Sequence, residues 1–149
     1  MTETIFTLNK NEIFEEVAKT TLYTGVKMDD DEKAYDRIFT TDEDKIILNR
    51  FWEESKNTVC DFLKRILSSE NEEDDILTIK LELSAAFDTS LESSMRSSLI
   101  SFFVMNITSK WFNLTNKQES AGCAAEAATY LEDVKRKALF KKKPTRPIY

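Results

Sequence analysis

Apolar residues recur at helical spacing in four stretches of this chain and at alternate positions in one. The first helical pattern follows Asn9. Asn9 and Glu12 have the spacing of a capping box, in which side chains satisfy orphan backbone N–H groups. Ile13, Phe14 and Val17 mark the apolar face, and Gly25 offers a left-handed terminator. The second pattern opens on Thr41-Asp42-Glu43-Asp44, a threonine cap with acids at the positive end of the helix dipole. Ile47, Phe51, Val59, Phe62 and Ile66 follow at helical spacing, and Ile46, Trp52 and Leu63 widen the stripe. So wide a stripe predicts a helix over Asp42 to Leu67 buried on more than one side.

The third helix is expected from about Thr89, with Glu92 completing another capping box. Its face is Leu91, Met95, Leu99, Phe102, Phe103, Ile107 and Trp111. Thr115 and Gln118 repeat the capping spacing for a fourth helix. There Ala121, Ala124, Ala125, Ala127 and Ala128 are small enough for close packing, and Leu131, Val134 and Leu139 continue the stripe.

"ILTIKLELS" breaks the helical period. Leu77, Ile79, Leu81 and Leu83 alternate with Thr78, Lys80, Glu82 and Ser84, the pattern of a half-buried strand. A lone strand cannot satisfy its backbone. Its partner is either the weaker local segment Thr4–Leu8 or a strand from a neighbouring subunit. "MDDDEKAYDRIF" reads as a solvated acidic loop with one short helical turn at Tyr35 to Phe39. "SSENEEDD" reads as a mobile polar linker.

The expected fold is therefore mainly α: a single domain over residues 1–140, a bundle of about four helices with one short β-strand or small sheet. Residues 141–149 form an extended basic arm. Composition agrees, since only two of 149 residues are glycine, too few for a chain rich in tight β-turns. No stretch approaches the roughly 18 apolar residues of a membrane span. The N-terminus lacks the charged-then-apolar pattern of a signal peptide, which points to a protein in a cytoplasm or in something assembled there.

Charge sharpens the picture at one end. The formal net charge is −6, and residues 1–76 carry 20 acids against 10 bases. Residues 134–149 carry seven bases and no acid. A helix dipole draws cations to a C-terminus, but its effect fades within a turn. The candidate interaction residues are Lys135, Arg136, Lys141, Lys142, Lys143, Pro144, Arg146, Pro147 and Tyr149, with Pro144 and Pro147 the chain's only prolines. Ten residues of polyproline II span about 30 Å, enough to reach an adjacent subunit. Such an arm suits docking on an acidic surface. The same residues also fit a polyproline II ligand, a phosphate-backbone contact or a disordered solubilising end.

Candidate chemistry is sparse. The chain has no histidine, which removes the commonest general base and metal ligand. Cys60 and Cys123 are far apart and read as small apolar residues in helices. The acid runs Asp29–Glu32 and Glu70–Asp75 lack calcium-loop spacing. Ser93, Ser94, Ser97 and Ser98 have no activating partner motif. No enzyme, cofactor or metal site is expected.

Several stretches together carry a resemblance: "AKTTLYTGVK", "YDRIFTTDEDKIILNRFWEES", "LTIKLELS" and "KWFNLTNKQESAGCAAEAATYLEDVKRKALFKKKPTR". They resemble the small helical head-to-tail connector proteins encoded near portal and capsid genes of tailed bacteriophages and prophages. The strand and the long fourth helix depart from the simplest helical pattern of that family. The resemblance implies a structural virion protein at the neck. It implies a homo-oligomeric ring, usually of twelve copies, that contacts the portal and neighbouring neck or tail proteins. DNA would pass through the channel without sequence-specific binding, and no membrane would be involved. The alternative from the residues alone is a helical intracellular adaptor with a basic, proline-containing docking tail, in contact with nucleic acid or not.

Overall fold

The computed structural model describes residues 2–27 and 44–142. The expected acidic loop, its turn at Tyr35 to Phe39 and the Thr41-Asp42-Glu43 start lie outside them. The described chain is mainly helical, with four α-helices and a small three-stranded antiparallel sheet.

The strand expected over Leu77–Leu83 is β3 (Ile76–Leu83), and it is the central strand of the sheet. On one side it pairs with β1 (Thr2–Asn9), in the register Thr4↔Leu81, Phe6↔Ile79 and Leu8↔Leu77. The local segment Thr4–Leu8 is thus the partner. The inward residues Phe6, Leu8, Leu77, Ile79, Leu81 and Leu83 are all buried, while Ile5 on the outer face is exposed.

The other side of β3 is taken by β2 (Leu67–Glu73), which occupies the stretch expected to be a mobile linker. Its hydrophobic alternation is missing because all seven of its residues are exposed or half-buried. Two things hold it. Asp74 and Asp75 have φ of 52° and 63°, so the β2–β3 connection is a two-residue turn of the twist that suits hairpins. Aspartate tolerates this left-handed region better than most residues. The second tie is Glu72, whose Oε1 accepts the indole N–H of buried Trp52 at 2.5 Å. Lys10 Nζ and Lys56 Nζ stand 3.9 and 3.8 Å from the same carboxylate. Burial acts against the charge on Lys56, but the hydrogen bond to Glu53 and the attraction of Glu53, Glu72 and Glu70 outweigh it and raise its pKa.

Helix α1 (Lys10–Lys27) follows β1 without a loop. Asn9 Oδ1 accepts the N–H groups of Asn11 and Glu12 at 2.9 and 3.3 Å, as expected of the cap. The helix continues two residues beyond Gly25. Helix α2 (Lys45–Phe62) is shorter than the expected Asp42 to Leu67. Residues 63–66 turn instead, and the Ile66 carbonyl accepts Glu82 N–H at 2.7 Å, which ties the turn to β3. The inward face of α2 is Leu48, Phe51, Trp52, Ser55 and Val59. Ile46 lies off that face and is 87% exposed, so it does not widen the stripe. Ser55 can be buried because its Oγ accepts Asn106 Nδ2 at 2.8 Å.

A 3₁₀ turn (Thr89–Leu91) leads into α3 (Glu92–Thr115). Asp88 is the cap, not Thr89: its Oδ1 accepts the Ser90 N–H at 3.1 Å. The expected face of α3 is buried from Met95 to Trp111, with Leu91 packed at its edge. Phe103 meets Trp52 of α2 with ring centroids 4.7 Å apart, and Phe14 of α1 meets Trp52 edge-on at 6.2 Å.

Helix α4 (Lys117–Ala138) packs along α3, with Ala127, Leu131, Val134 and Ala138 inward. This corrects two expectations. Thr115 does not cap the helix, since its hydroxyl bonds the Trp111 carbonyl one turn back at 3.1 Å. Ala121, Ala124, Ala125 and Ala128 point to solvent, and Leu139 is 66% exposed. The inward stripe repeats at positions 127, 131, 134 and 138, which turns the other alanines outward. Close packing falls instead to Ser120, whose Oγ donates to the Ser109 carbonyl at 2.9 Å while Ser109 Oγ donates to the Ser120 carbonyl at 3.0 Å.

Leu81 is fully buried between β1 and β2, whereas Lys80 faces outward. Leu81→Ala should cost about 2–5 kcal/mol and Leu81→Asp should abolish folding. Lys80→Ser should change stability by less than about 0.5 kcal/mol. Urea titration followed by circular dichroism measures all three, and equal tolerance at the two positions would remove the one-sided sheet. The same titration should show that Asp74→Asn with Asp75→Gly raises stability, by up to about 1 kcal/mol, since both residues sit easily at positive φ.

Candidate interaction surface

The basic end of the chain begins on the last turns of α4. Asp133 gathers much of its charge. Asp133 Oδ1 accepts Arg136 Nη2 at 2.6 Å, and Oδ2 accepts Lys137 Nζ and Ser98 Oγ at 2.7 Å each. Lys137 also donates to Ser94 Oγ. Two of the serines weighed as nucleophiles are therefore clasps between α3 and α4. Burial works against the Asp133 charge, but the hydrogen bonds from Lys137, Ser98 and Arg136 prevail and lower its pKa.

Beyond α4 the chain turns back on itself. Asp88 N–H donates to the Phe140 carbonyl at 3.2 Å, and Lys142 N–H donates to the Ala86 carbonyl at 2.7 Å. Lys141 forms an antiparallel bridge with buried Phe87. Lys141 and Lys142, the first residues of the expected arm, are thus held by backbone bonds, with both lysine side chains exposed. Lys143, Pro144, Arg146, Pro147 and Tyr149 lie outside the described residues.

Lys135 points elsewhere. Its Nζ sits 4.6 Å from the centre of the Phe62 ring. This contact closes one side of an open groove of about 550 Å³, lined by Asp61, Phe62, Leu63, Lys64, Arg65, Ile66, Lys135 and Leu139. Among the described residues, none of Lys64, Arg65 and Lys135 has an ion-pair partner. Leu139 in this lining is 66% exposed, and the next residue along the chain, Phe140, is 46% exposed. The groove therefore has an apolar floor and a cationic rim, with Asp61 the one acid in its lining.

The structure sorts the expected residues in this way. Lys135, Lys141 and Lys142 present free charge at one end, whereas Arg136 is absorbed by Asp133. Lys64 and Arg65 were absent from the expected set, and the turn after α2 brings them to Lys135. The signal was present in "LKRIL", two bases at a helix C-terminus where the dipole favours them.

The acid run Glu70–Asp75 is strand and turn, and Glu72 is already committed to Trp52, Lys10 and Lys56. Among the described residues no group of three or more candidate ligands is placed to hold a metal ion. Cys60 and Cys123 are free, half-buried and helical. Burial raises both thiol pKa values, and Cys123 is pushed up to about 11. No described helix is long and apolar enough to cross a membrane. No family model, curated protein or solved structure matches the chain.

Asp133 gives this end a pH dependence. Its folded pKa lies below the unfolded value, so its contribution to stability is present above the ordinary aspartate range, near 3.9, and is lost as pH falls through the folded pKa. Asp133→Asn should therefore destabilise the protein at pH 7. The gap between variant and wild type should narrow as titrations are repeated from pH 5 down to pH 3. A gap of constant size would mean that the charge of Asp133 contributes nothing.

Proposed function

We propose that the chain is a structural subunit of a tailed-bacteriophage neck, a ring of identical copies that joins the portal to the tail and surrounds the DNA path. The observation that supports this most is the concentration of free cations at one end of an acidic molecule. Lys64, Arg65 and Lys135 line a groove there, beside the tethered root of a basic arm. A body of formal charge −6 with such an end is complementary to its own copies. A head-to-tail contact of this kind generates a ring when its rotation closes. The resemblance to head-to-tail connectors supplies the ring, the portal as neighbour and the location in the virion. No catalytic step belongs to this reading, and DNA is passed along, not read.

The arm's role is assembly. Truncation after Lys142 keeps the backbone ties of Lys141 and Lys142 and removes only residues 143–149, so the fold should survive. Incorporation should fail or slow. A connector subunit can wait as a monomer for its portal, so native mass spectrometry is best done with the portal protein of the same genome present. A closed ring or portal complex is expected from the full chain and a marked loss from the truncated one. The rate of association should also fall as salt rises, because the screening length drops from about 8 Å at physiological strength to about 3 Å at 1 M. A full chain that stays monomeric or dimeric beside its portal would favour an adaptor with a docking tail. A truncated chain that assembles at the wild-type rate would return the arm to a solubilising end.

A further inference from the structure

We infer that the groove between the turn after α2 and the end of α4 receives the β2–β3 hairpin tip of a second copy. The inference rests on the ring reading for its setting and adds the two surfaces that meet.

Four observations carry it. The rim of the groove is Lys64, Arg65 and Lys135, cations without ion-pair partners among the described residues, with Lys141 and Lys142 close by in sequence. The hairpin tip is the opposite in charge: Glu73, Asp74 and Asp75 are consecutive and exposed, with exposed Glu70 on the same strand. The shapes correspond. A two-residue turn is a narrow convex knob, and the groove is an open concavity of about 550 Å³ with an apolar floor. Ile76, 36% exposed beside the turn, gives the knob an apolar side to set against Phe62 and Leu139.

The fourth observation is placement. Strand β2 starts at Leu67, directly after the groove residues, and ends at the tip. Its seven residues, at about 3.3 Å each, put the tip roughly 20 Å from the groove. One copy cannot fold its own tip into its own groove, because the β2–β3 ladder holds the strand straight between them. Each molecule therefore has an exposed knob at one end of the sheet, where Asp75 accepts Lys10 N–H at 2.9 Å and Asn11 Nδ2 at 3.5 Å, and an open hole at the other. Knob into hole between copies is a heterologous contact, which propagates until it closes.

Two variants test it. Asp74→Asn with Asp75→Gly removes two of the tip's three consecutive charges while suiting the turn, so lost association cannot be blamed on a lost fold. Lys64→Glu with Arg65→Glu reverses the rim and leaves Lys135 on Phe62. Sedimentation velocity over a concentration series should show the wild-type chain growing in mass. Each variant alone should associate roughly tenfold or more weakly, as expected when charge complementarity is removed. An equimolar mixture of the two variants is the decisive sample. The tip variant keeps a groove and the rim variant keeps a tip, so one contact remains, and the mixture should form a one-to-one pair that grows no further.

A wild-type chain that stays monomeric at the highest attainable concentration, both alone and with portal protein present, overturns the inference. So do variants that associate like the wild type, or a mixture that forms no pair. The two readings fail separately. Closed rings that persist in both variants would sink the tip-and-groove contact and leave the ring reading standing. Head-to-tail chains that never close, even with portal present, would support the contact and sink the ring.

Discussion

The fold depends on covering α3. None of residues 98–112 is exposed, and the buried positions 102–104, 107–109 and 111–112 run all the way round the helix. A helix apolar on every side has no face to offer water and must be enclosed. One long partner covers one side, and α4 supplies it. The other side falls to α1 and α2, which reach Phe103 through Trp52, and to the sheet, whose inner face joins the same core. Two polar residues on α3 are completed by neighbours, Asn106 by Ser55 and Ser109 by Ser120, while the buried hydroxyl of Thr108 has no partner among the described residues. The rest of the chain can be read as the set of elements needed to close this enclosure.

That requirement explains what the sequence disclosed and what it hid. Strand β3 was legible because one face is buried and the other wet, so Leu77, Ile79, Leu81 and Leu83 alternate. Helix α3 was legible because its apolar residues are large and dense. Strand β2 was not, because an exposed edge strand needs no alternation. It is fixed by an Asp-Asp turn at positive φ and by a single carboxylate under an indole, and neither leaves a periodic trace. The alanines of α4 misled for a different reason: small residues are tolerated on both faces of a helix. Stepping back from Leu131 and Val134 by three and four leads to Ala127, Cys123 and Ser120, the residues that do face inward. Spacing held the answer, where composition suggested another.

The charge of the candidate surface was half legible. A run of bases after Val134 could be seen directly, and Lys135, Lys141 and Lys142 do present free charge. Arg136 and Lys137 do not, because Asp133 lies one turn back on the same helix and takes both. That pairing at three and four residues was readable, had the counted segment begun one residue earlier. Lys64 and Arg65 are visible as two bases just past α2, but no local pattern joins them to Lys135. They sit some seventy positions from Lys135 in the chain, and only the close of α2 against the end of α4 joins them. A groove is a tertiary object, and its charge is the sum of segments whose individual charges look ordinary.

The edges of the sheet bear on how copies of this chain can meet. An exposed strand edge invites another strand, and proteins blunt such edges with charge or cover. On β2 the exposed residues include Glu70 and Glu73, so two such edges would bring like charges together. On β1 the Thr7 carbonyl is already taken by Arg96 Nε from α3 at 3.2 Å. Growth of the sheet from copy to copy is thus disfavoured on one side by charge and hindered on the other by a side chain. On the proposed reading, contacts between copies would fall to the ends of the molecule, where the hairpin tip and the groove stand about one strand length apart. A contact at the ends leaves the enclosure of α3 untouched. A subunit of this design could fold completely before it met a partner, and it would have little to rearrange on joining one.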